Sequence, residues 1–214
     1  MKAQVKEFGY DKESVLVQLI MLAHTFIQWV NPSSEVFLKW ERASESSREL
    51  WGITLGSTIW VPKGVGKEYN SIYGSAFILH ELVHVRQMQR FIGPEWLRIL
   101  CFWVAYLFLP IPTLLTFRGD TYELEAYTKE YRYLKHRGVS EVALSNWMDR
   151  TNKLFTTGAY LYMNPIGGGP LKKGSYVRTQ LEENPATRPM LADLAEELYN
   201  DQAAKFASRD SSGS

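Results

Sequence analysis

The sequence predicts an α+β domain in which helices predominate. Most of the chain consists of helix-forming stretches without internal Gly or Pro. Residues 53–62 (ITLGSTIWVP) are instead rich in β-branched and aromatic residues, which favour strands. Apolar residues make up 45% of the chain, enough for a sizeable core. We therefore expect a single domain at 1–206 rather than two small ones, with a flexible tail at 207–214.

The predicted elements follow in order along the first part of the chain. Residues 15–30 predict a largely buried helix, which ends before Pro32. The polar, amphipathic stretch 33–52 predicts a further helix or helical turn. A strand is predicted at 53–62, in which Gly56 marks a bulge or a close backbone approach.

The second part of the chain is mainly helical. A helix begins near Ser75 and continues to about Phe91, because Gly93 and Pro94 follow it. Further helices are predicted at 120–136, 140–156 and 184–206.

Charge and cysteine content exclude two classes of function. The net charge is only +1, and no stretch interleaves Lys or Arg with aromatic residues, so we expect no nucleic-acid partner. The single cysteine, Cys101, forms no disulfide framework and stands in an apolar run, where a buried thiol is expected. No signal peptide is evident, so a cytoplasmic, a delivered and a secreted protein all remain open.

The stretch HELVHVRQ, residues 80–87, carries the chemistry of the chain. On a helix, His80 and His84 lie one turn apart on the same face, so both imidazoles can bind one metal ion. Glu81 then stands beside that ion, where its carboxylate can accept a proton from water. A catalytic zinc site requires a third protein ligand, and the later carboxylates cluster at 118–130.

HExxH followed by a Glu in an E-x-x-A context on a second helix resembles the gluzincin metallopeptidases. The order ITLGSTIWVP, HELVHVRQ and YELEAY is similar to small bacterial zincin-like domains of the DUF4157 type, over residues 50–130. The resemblance implies one Zn²⁺ per chain and a zincin-like domain with a short antiparallel sheet beside the HExxH helix. It also implies a peptide or protein substrate.

The same resemblance assigns the remaining site residues. Glu123 aligns with the third ligand, and Tyr127 stands where these enzymes have an Asp that orients a ligand histidine. Glu125 is the competing ligand; it points to another face of the helix and, if it is no ligand, is solvated or paired with an Arg such as Arg118. Donors for the developing oxyanion are sought among the tyrosines and Arg118: Tyr160, Tyr162, Tyr127 and Arg118.

Zincins bind an extended substrate along an edge strand, and the resemblance gives this role to Gly56, Ser57, Thr58, Ile59 and Trp60. The alternative is that these residues form an ordinary core strand.

Residues 97–117 are the most apolar part of the chain. A single membrane crossing there would separate Glu123 from the two histidines, so we exclude it. A buried helix with a return bent at Pro110 and Pro112 remains, as does a hairpin or interfacial insertion in contact with a membrane or a partner.

The sequence therefore predicts a zinc metalloendopeptidase in which Glu81 is the general base. Two alternatives remain: a zincin-like module that binds a partner or membrane without turnover, and a zinc hydrolase of a non-peptide substrate.

Overall fold

Helices predominate in the described part of the chain and pack with a three-stranded sheet, so the fold class is α+β, as expected. The computed structural model describes residues 3–8, 52–62, 71–108, 110–111, 116–156, 169–183 and 194–198. The predicted helices at 15–30 and within 33–52 lie outside the described residues.

The strands are β1 (Gln4–Phe8), β2 (Ile53–Leu55), β3 (Thr58–Pro62), β4 (Pro110–Ile111) and β5 (Thr116–Phe117). The helices are α1 (Ile72–Gln89), α2 (Glu95–Phe108), α3 (Arg118–His136), α4 (Glu141–Thr156) and α5 (Tyr176–Glu183). Residues 194–198 are also helical.

The three-stranded sheet is mixed, so the expectation of an antiparallel sheet is only half correct. β3 is the central strand, with β2 antiparallel on one side and β1 parallel on the other. Sequence analysis did not predict β1. β1 pairs with a strand far along the chain, with Gln4 opposite Thr58. No local turn sequence predicts such a long-range parallel pairing.

The predicted strand 53–62 is a hairpin rather than one strand with a bulge. β2 and β3 are joined by Gly56 and Ser57, and Leu55 lies opposite Thr58. Gly56 has a φ of +62°, which favours glycine. A Cβ atom at Gly56 would also lie 2.5 Å from Oε1 of Glu95, at the start of α2. The turn is therefore fixed both by its conformation and by its contact with α2.

This topology corrects the predicted substrate strand. Thr58, Ile59 and Trp60 belong to the central strand, whose two edges already pair with β1 and β2. Gly56 and Ser57 form the hairpin turn, and Ser57 donates from its backbone N–H and its hydroxyl to Glu95. In the described part of the chain, β2 is the edge strand that adjoins α1.

Helix α1 is the centre of the fold. It begins earlier than predicted, because the Ser71 side chain accepts a hydrogen bond from the Gly74 N–H (3.0 Å) and caps the helix there. Beyond its first turn the helix is largely buried, and Ile78 and Leu79 are fully buried. Helices α2 and α3 pack against it, and α4 packs against α3. A helix buried on nearly every side holds its side chains in fixed positions.

The apolar segment 97–117 forms most of α2 and then the β4–β5 pair. One face of α2 packs on α1 and α3, where Phe102 stacks on Tyr122 with ring centroids 5.2 Å apart. β4 and β5 are antiparallel, with Pro110 opposite Phe117, so the chain reverses between them. Among the helices described, none has the length and apolar character needed to span a bilayer.

A charged cluster around the buried residue Arg178 joins α4 to α5. Arg178 on α5 exposes only 3% of its side chain. Its guanidinium donates to Ser145 Oγ (2.7 Å), Asp149 Oδ1 (2.5 Å) and Glu182 Oε1 (2.8 Å), and also to the carbonyl of Leu171 (3.4 Å). Sequence analysis did not predict α5, which is short and polar and follows a Gly-rich loop.

Candidate metal centre

His80 and His84 of α1 meet Glu123 of α3 in the interior. Their two Nε2 atoms are 3.2 Å apart. Glu123 Oε2 lies 3.2 Å from His80 Nε2, and its Oε1 lies 3.4 Å from His84 Nε2. The three residues are 5%, 6% and 5% exposed, so bulk water does not separate them. They form a group of potential metal ligands.

The separations fit one ion held by all three side chains. Four tetrahedral ligands at about 2.0–2.2 Å from zinc lie roughly 3.4 Å from one another. Glu123 Oε2 is also buried without a hydrogen-bond partner among the described residues. A buried carboxylate oxygen without such a partner is costly, and a cation between the three groups would remove that cost.

The imidazole of His80 is oriented from the side away from Glu123. Its Nδ1 lies 3.2 Å from Glu130 Oε2, and Glu130 Oε1 accepts a hydrogen bond from the indole N–H of Trp147 (3.3 Å). A carboxylate only accepts, so His80 carries its proton on Nδ1. The lone pair of Nε2 in the neutral ring then faces the centre.

His84 is oriented in the same way, by Gln87. Its Nδ1 is 2.8 Å from Gln87 Oε1. The Gln87 amide nitrogen donates to the carbonyl of Tyr122 (3.0 Å) and to Glu125 Oε2 (3.1 Å). Both of these partners are acceptors, which fixes the amide orientation and makes Oε1 the acceptor for His84 Nδ1–H. His84 Nε2 therefore also presents a lone pair to the centre.

Glu123, and not Glu125, faces the imidazoles. Glu125 accepts two hydrogen bonds from the guanidinium of Arg90, one of them 3.0 Å long, in addition to that from Gln87. Sequence analysis left these two carboxylates open and named Arg118 as a partner for Glu125. The partner is Arg90, the C-cap residue of α1.

Glu123 is held by a residue that the sequence did not indicate. The hydroxyl of Tyr106, on α2, donates to Glu123 Oε1 over 2.5 Å. Since this bond occupies Oε1, Oε2 is the oxygen available to an ion. The apolar helix α2 thus contributes to the site directly.

Glu81 is buried next to this group, 6% exposed. Its Oε2 accepts a hydrogen bond of 2.6 Å from the hydroxyl of Thr54, on the edge strand β2. The charge of Glu81 also contributes to the raised pKa of His84. The sheet therefore positions Glu81, while α2 and α3 position Glu123.

The electrostatics of the group favour positive charge. Burial alone lowers the pKa of His80, but the hydrogen bonds and charges of Glu123 and Glu130 outweigh it and raise that pKa to about 10. The pKa of His84 is raised as well, because Glu123 outweighs the effect of burial. Burial raises the pKa of Glu123, but His84 and His80 lower it overall. An ion entering this site must displace protons from the imidazoles.

Tyr127 packs against His80, with ring centroids 4.4 Å apart, and against Trp147. The carboxylate that orients His80 belongs to Glu130, whereas sequence analysis had placed this role at position 127. Glu130 follows Glu123 by seven residues, which places both on one face of α3, and this spacing is the signal that could have revealed it.

The remaining predicted residues are not placed at the centre. Tyr160 and Tyr162 lie outside the described residues. Arg118 is the first residue of α3, and its side chain is also outside them.

Comparison of the chain with protein-family models, curated proteins and solved structures finds no match.

Proposed function

We propose that the chain is a zinc-dependent hydrolase of peptide bonds, of the gluzincin type, with His80, His84 and Glu123 as the zinc ligands. The observation that carries the proposal is the convergence of two imidazole nitrogens, 3.2 Å apart, with the carboxylate of Glu123, whose Oε2 lies 3.2 Å from His80 Nε2 and whose Oε1 lies 3.4 Å from His84 Nε2. Both imidazoles are turned toward the centre by acceptors on their Nδ1 side. Such hydrogen-bonded supports are typical of metal ligands.

The ligand set and the motif favour zinc over the other ions. Calcium and magnesium prefer a shell of oxygen atoms only, which two histidines do not supply. Iron(II) also binds two histidines and a carboxylate. The order His80, Glu81, His84 on one helix is the HExxH arrangement of zinc hydrolases, and it favours zinc over iron.

Three protein ligands would leave one coordination position of zinc open. Through that position the zinc would polarise a water molecule and the substrate carbonyl. Glu81 accepts a proton from the attacking water and passes it to the leaving amine. Thr54 occupies one oxygen of Glu81 and thereby restricts how its carboxylate can turn. Glu130 and Gln87 keep the imidazole protons on Nδ1 throughout.

The test separates metal binding from catalysis. Purified chain, never exposed to a chelator, is analysed for metals and then assayed with a mixture of fluorogenic peptides. We expect one zinc per chain and cleavage. Glu81→Gln should retain zinc and lose cleavage by about 10²–10⁴-fold, as removal of a general base does.

Glu141→Gln is the matched control, because it changes an exposed carboxylate outside the site, which pairs only with Lys135 among the described residues. We expect it to retain most of its zinc and its activity. If Glu81→Gln cleaves as fast as the unaltered chain, the assigned base is wrong. Zinc binding without cleavage of any peptide would leave a zincin-like module without peptidase function.

A further inference from the structure

The outward face of α2 is an exposed row of apolar side chains. Trp96, Leu100 and Val104 follow one another at intervals of four residues and are 66%, 53% and 44% exposed. Ile92, in the turn before α2, is 94% exposed. These four make up half of the large apolar residues that are exposed in the described part of the chain. Trp96, Leu100 and Val104 lie on one helix face, and Ile92 stands in the turn directly before it. Such a grouping calls for an explanation that scattered apolar residues do not need.

This face carries no charge. Helical spacing places Leu97, Cys101 and Trp103 on either side of the row, so apolar residues cover about half the circumference of α2. Arg98 follows Trp96 by two residues and therefore projects away from the row. Glu95 is turned toward Ser57, whose N–H and hydroxyl it accepts.

The size of the row argues against a second copy of the chain as its cover. Four such side chains expose on the order of 500 Å². A stable protein interface takes roughly 800 Å² from each partner and has a polar rim that pairs with its counterpart. The hydrocarbon of a bilayer needs neither the larger area nor matching polar groups.

The chain beyond α2 continues the same character. From residue 99 to residue 117 no charged residue occurs. The antiparallel pairing of β4 with β5 returns the chain to α3 at Arg118. A stretch of this length without charge suits contact with a membrane surface.

We propose that the row Ile92, Trp96, Leu100 and Val104 docks on a lipid bilayer, with α2 lying parallel to the membrane surface. The proposal goes beyond the proposed hydrolase and does not depend on bound metal. Tyr106 on α2 donates a hydrogen bond to Glu123, so the candidate metal centre would lie close to the bilayer.

The test is flotation of the purified chain with phosphatidylcholine vesicles. We expect the unaltered chain to float with the vesicles. The double variant Trp96→Ser, Leu100→Ser should bind at least tenfold more weakly, because it removes two large apolar side chains from the lipid contact. The matched control is Val142→Ser, Tyr176→Ser, whose residues are 73% and 79% exposed elsewhere, and it should float normally. Unchanged circular dichroism melting of both variants shows that each folds.

Four results would overturn the proposal. The unaltered chain fails to float, or the row variant floats as well as the control variant. Alternatively, the chain sediments as a dimer that the row variant dissociates, without any flotation, which would identify a second copy as the partner. Flotation that requires phosphatidylglycerol, and that salt abolishes equally in both variants, would place the membrane contact on a charged surface elsewhere.

Discussion

The described part of the chain contains two clusters built around buried charged side chains, and they differ in how far their hydrogen bonding is complete. Around Arg178, a cationic donor meets the oxygen atoms of Ser145, Asp149, Glu182 and Leu171. In the candidate metal centre, the two Nε2 atoms and the carboxylate of Glu123 converge on one another. When the rings are neutral, both nitrogens and Glu123 Oε2 offer lone pairs. The first cluster contains a permanent cation, whereas the second offers converging lone pairs once its imidazoles lose their protons.

This difference separates a structural cluster from a binding site. A buried charge is tolerated when fixed partners satisfy it, and such a cluster then ties helices together. Converging acceptors, each held by further hydrogen bonds but not satisfied by one another, are arranged for a ligand. Substitutions in one cluster should therefore change stability, and those in the other should change metal binding.

The largest effect is expected for Glu123→Ala. Loss of one of three protein ligands should weaken zinc binding by more than about 100-fold, since even supporting residues contribute 10–100-fold. Competition against a chromogenic chelator measures this change. Glu125→Ala is the control and should change zinc affinity much less. Equal losses in both variants would contradict the choice of Glu123 as the ligand.

The second-largest effect is expected for Arg178→Met, a substitution outside the candidate metal centre. It should lower the free energy of unfolding by about 2–3 kcal/mol, a moderate value because Asp149 and Glu182 are partly exposed and can regain water. Urea denaturation measures the loss. Zinc affinity should stay the same, and a parallel loss of zinc would show that the two clusters are coupled.

Glu130→Gln should have a smaller effect on zinc. The amide can still accept from His80 Nδ1 but carries no charge to support the imidazole, so we expect zinc affinity to fall by about tenfold. Glu141→Gln, on the exposed start of α4, is the control. An unaltered affinity in Glu130→Gln would mean that a hydrogen-bond acceptor supports His80 without any contribution from the charge of Glu130.

The smallest effect is expected for Tyr106→Phe. It removes one hydrogen bond from Glu123 Oε1 and frees that oxygen to approach the ion. We expect zinc affinity to change only several-fold. The visible spectrum of the cobalt-substituted protein should also shift, because the coordination changes. An identical spectrum would show that Tyr106 does not control how Glu123 binds.

Local patterns predicted those parts of the structure that depend on local contacts. His80, Glu81 and His84 share a helix whose spacing alone sets their geometry, and the helices near 120–136 and 140–156 end close to the predicted residues. The choice between Glu123 and Glu125 depends on how α3 crosses α1, and no single-helix pattern contains that angle. Glu130 was missed because an acid on a helix usually faces solvent.

Long-range contacts account for the other differences. The parallel pairing of β1 with β3 joins residues more than fifty positions apart, and Tyr106 reaches Glu123 from a helix that its composition suggested only for burial or membrane contact. Gly56 was predicted to mark a bulge or a close backbone approach, and it does lie close to Glu95. The bulge was considered because a hairpin turn and a bulge both select glycine with positive φ. Only the pairing of Leu55 with Thr58 distinguishes them.

The most direct measurement of the central claim is X-ray absorption at the zinc edge of the zinc-loaded protein. We predict a shell of nitrogen and oxygen atoms at about 2.0–2.1 Å, with the outer scattering of two imidazoles. A sulfur atom at about 2.3 Å, no imidazole scattering, or a protein that takes up no zinc would contradict the account.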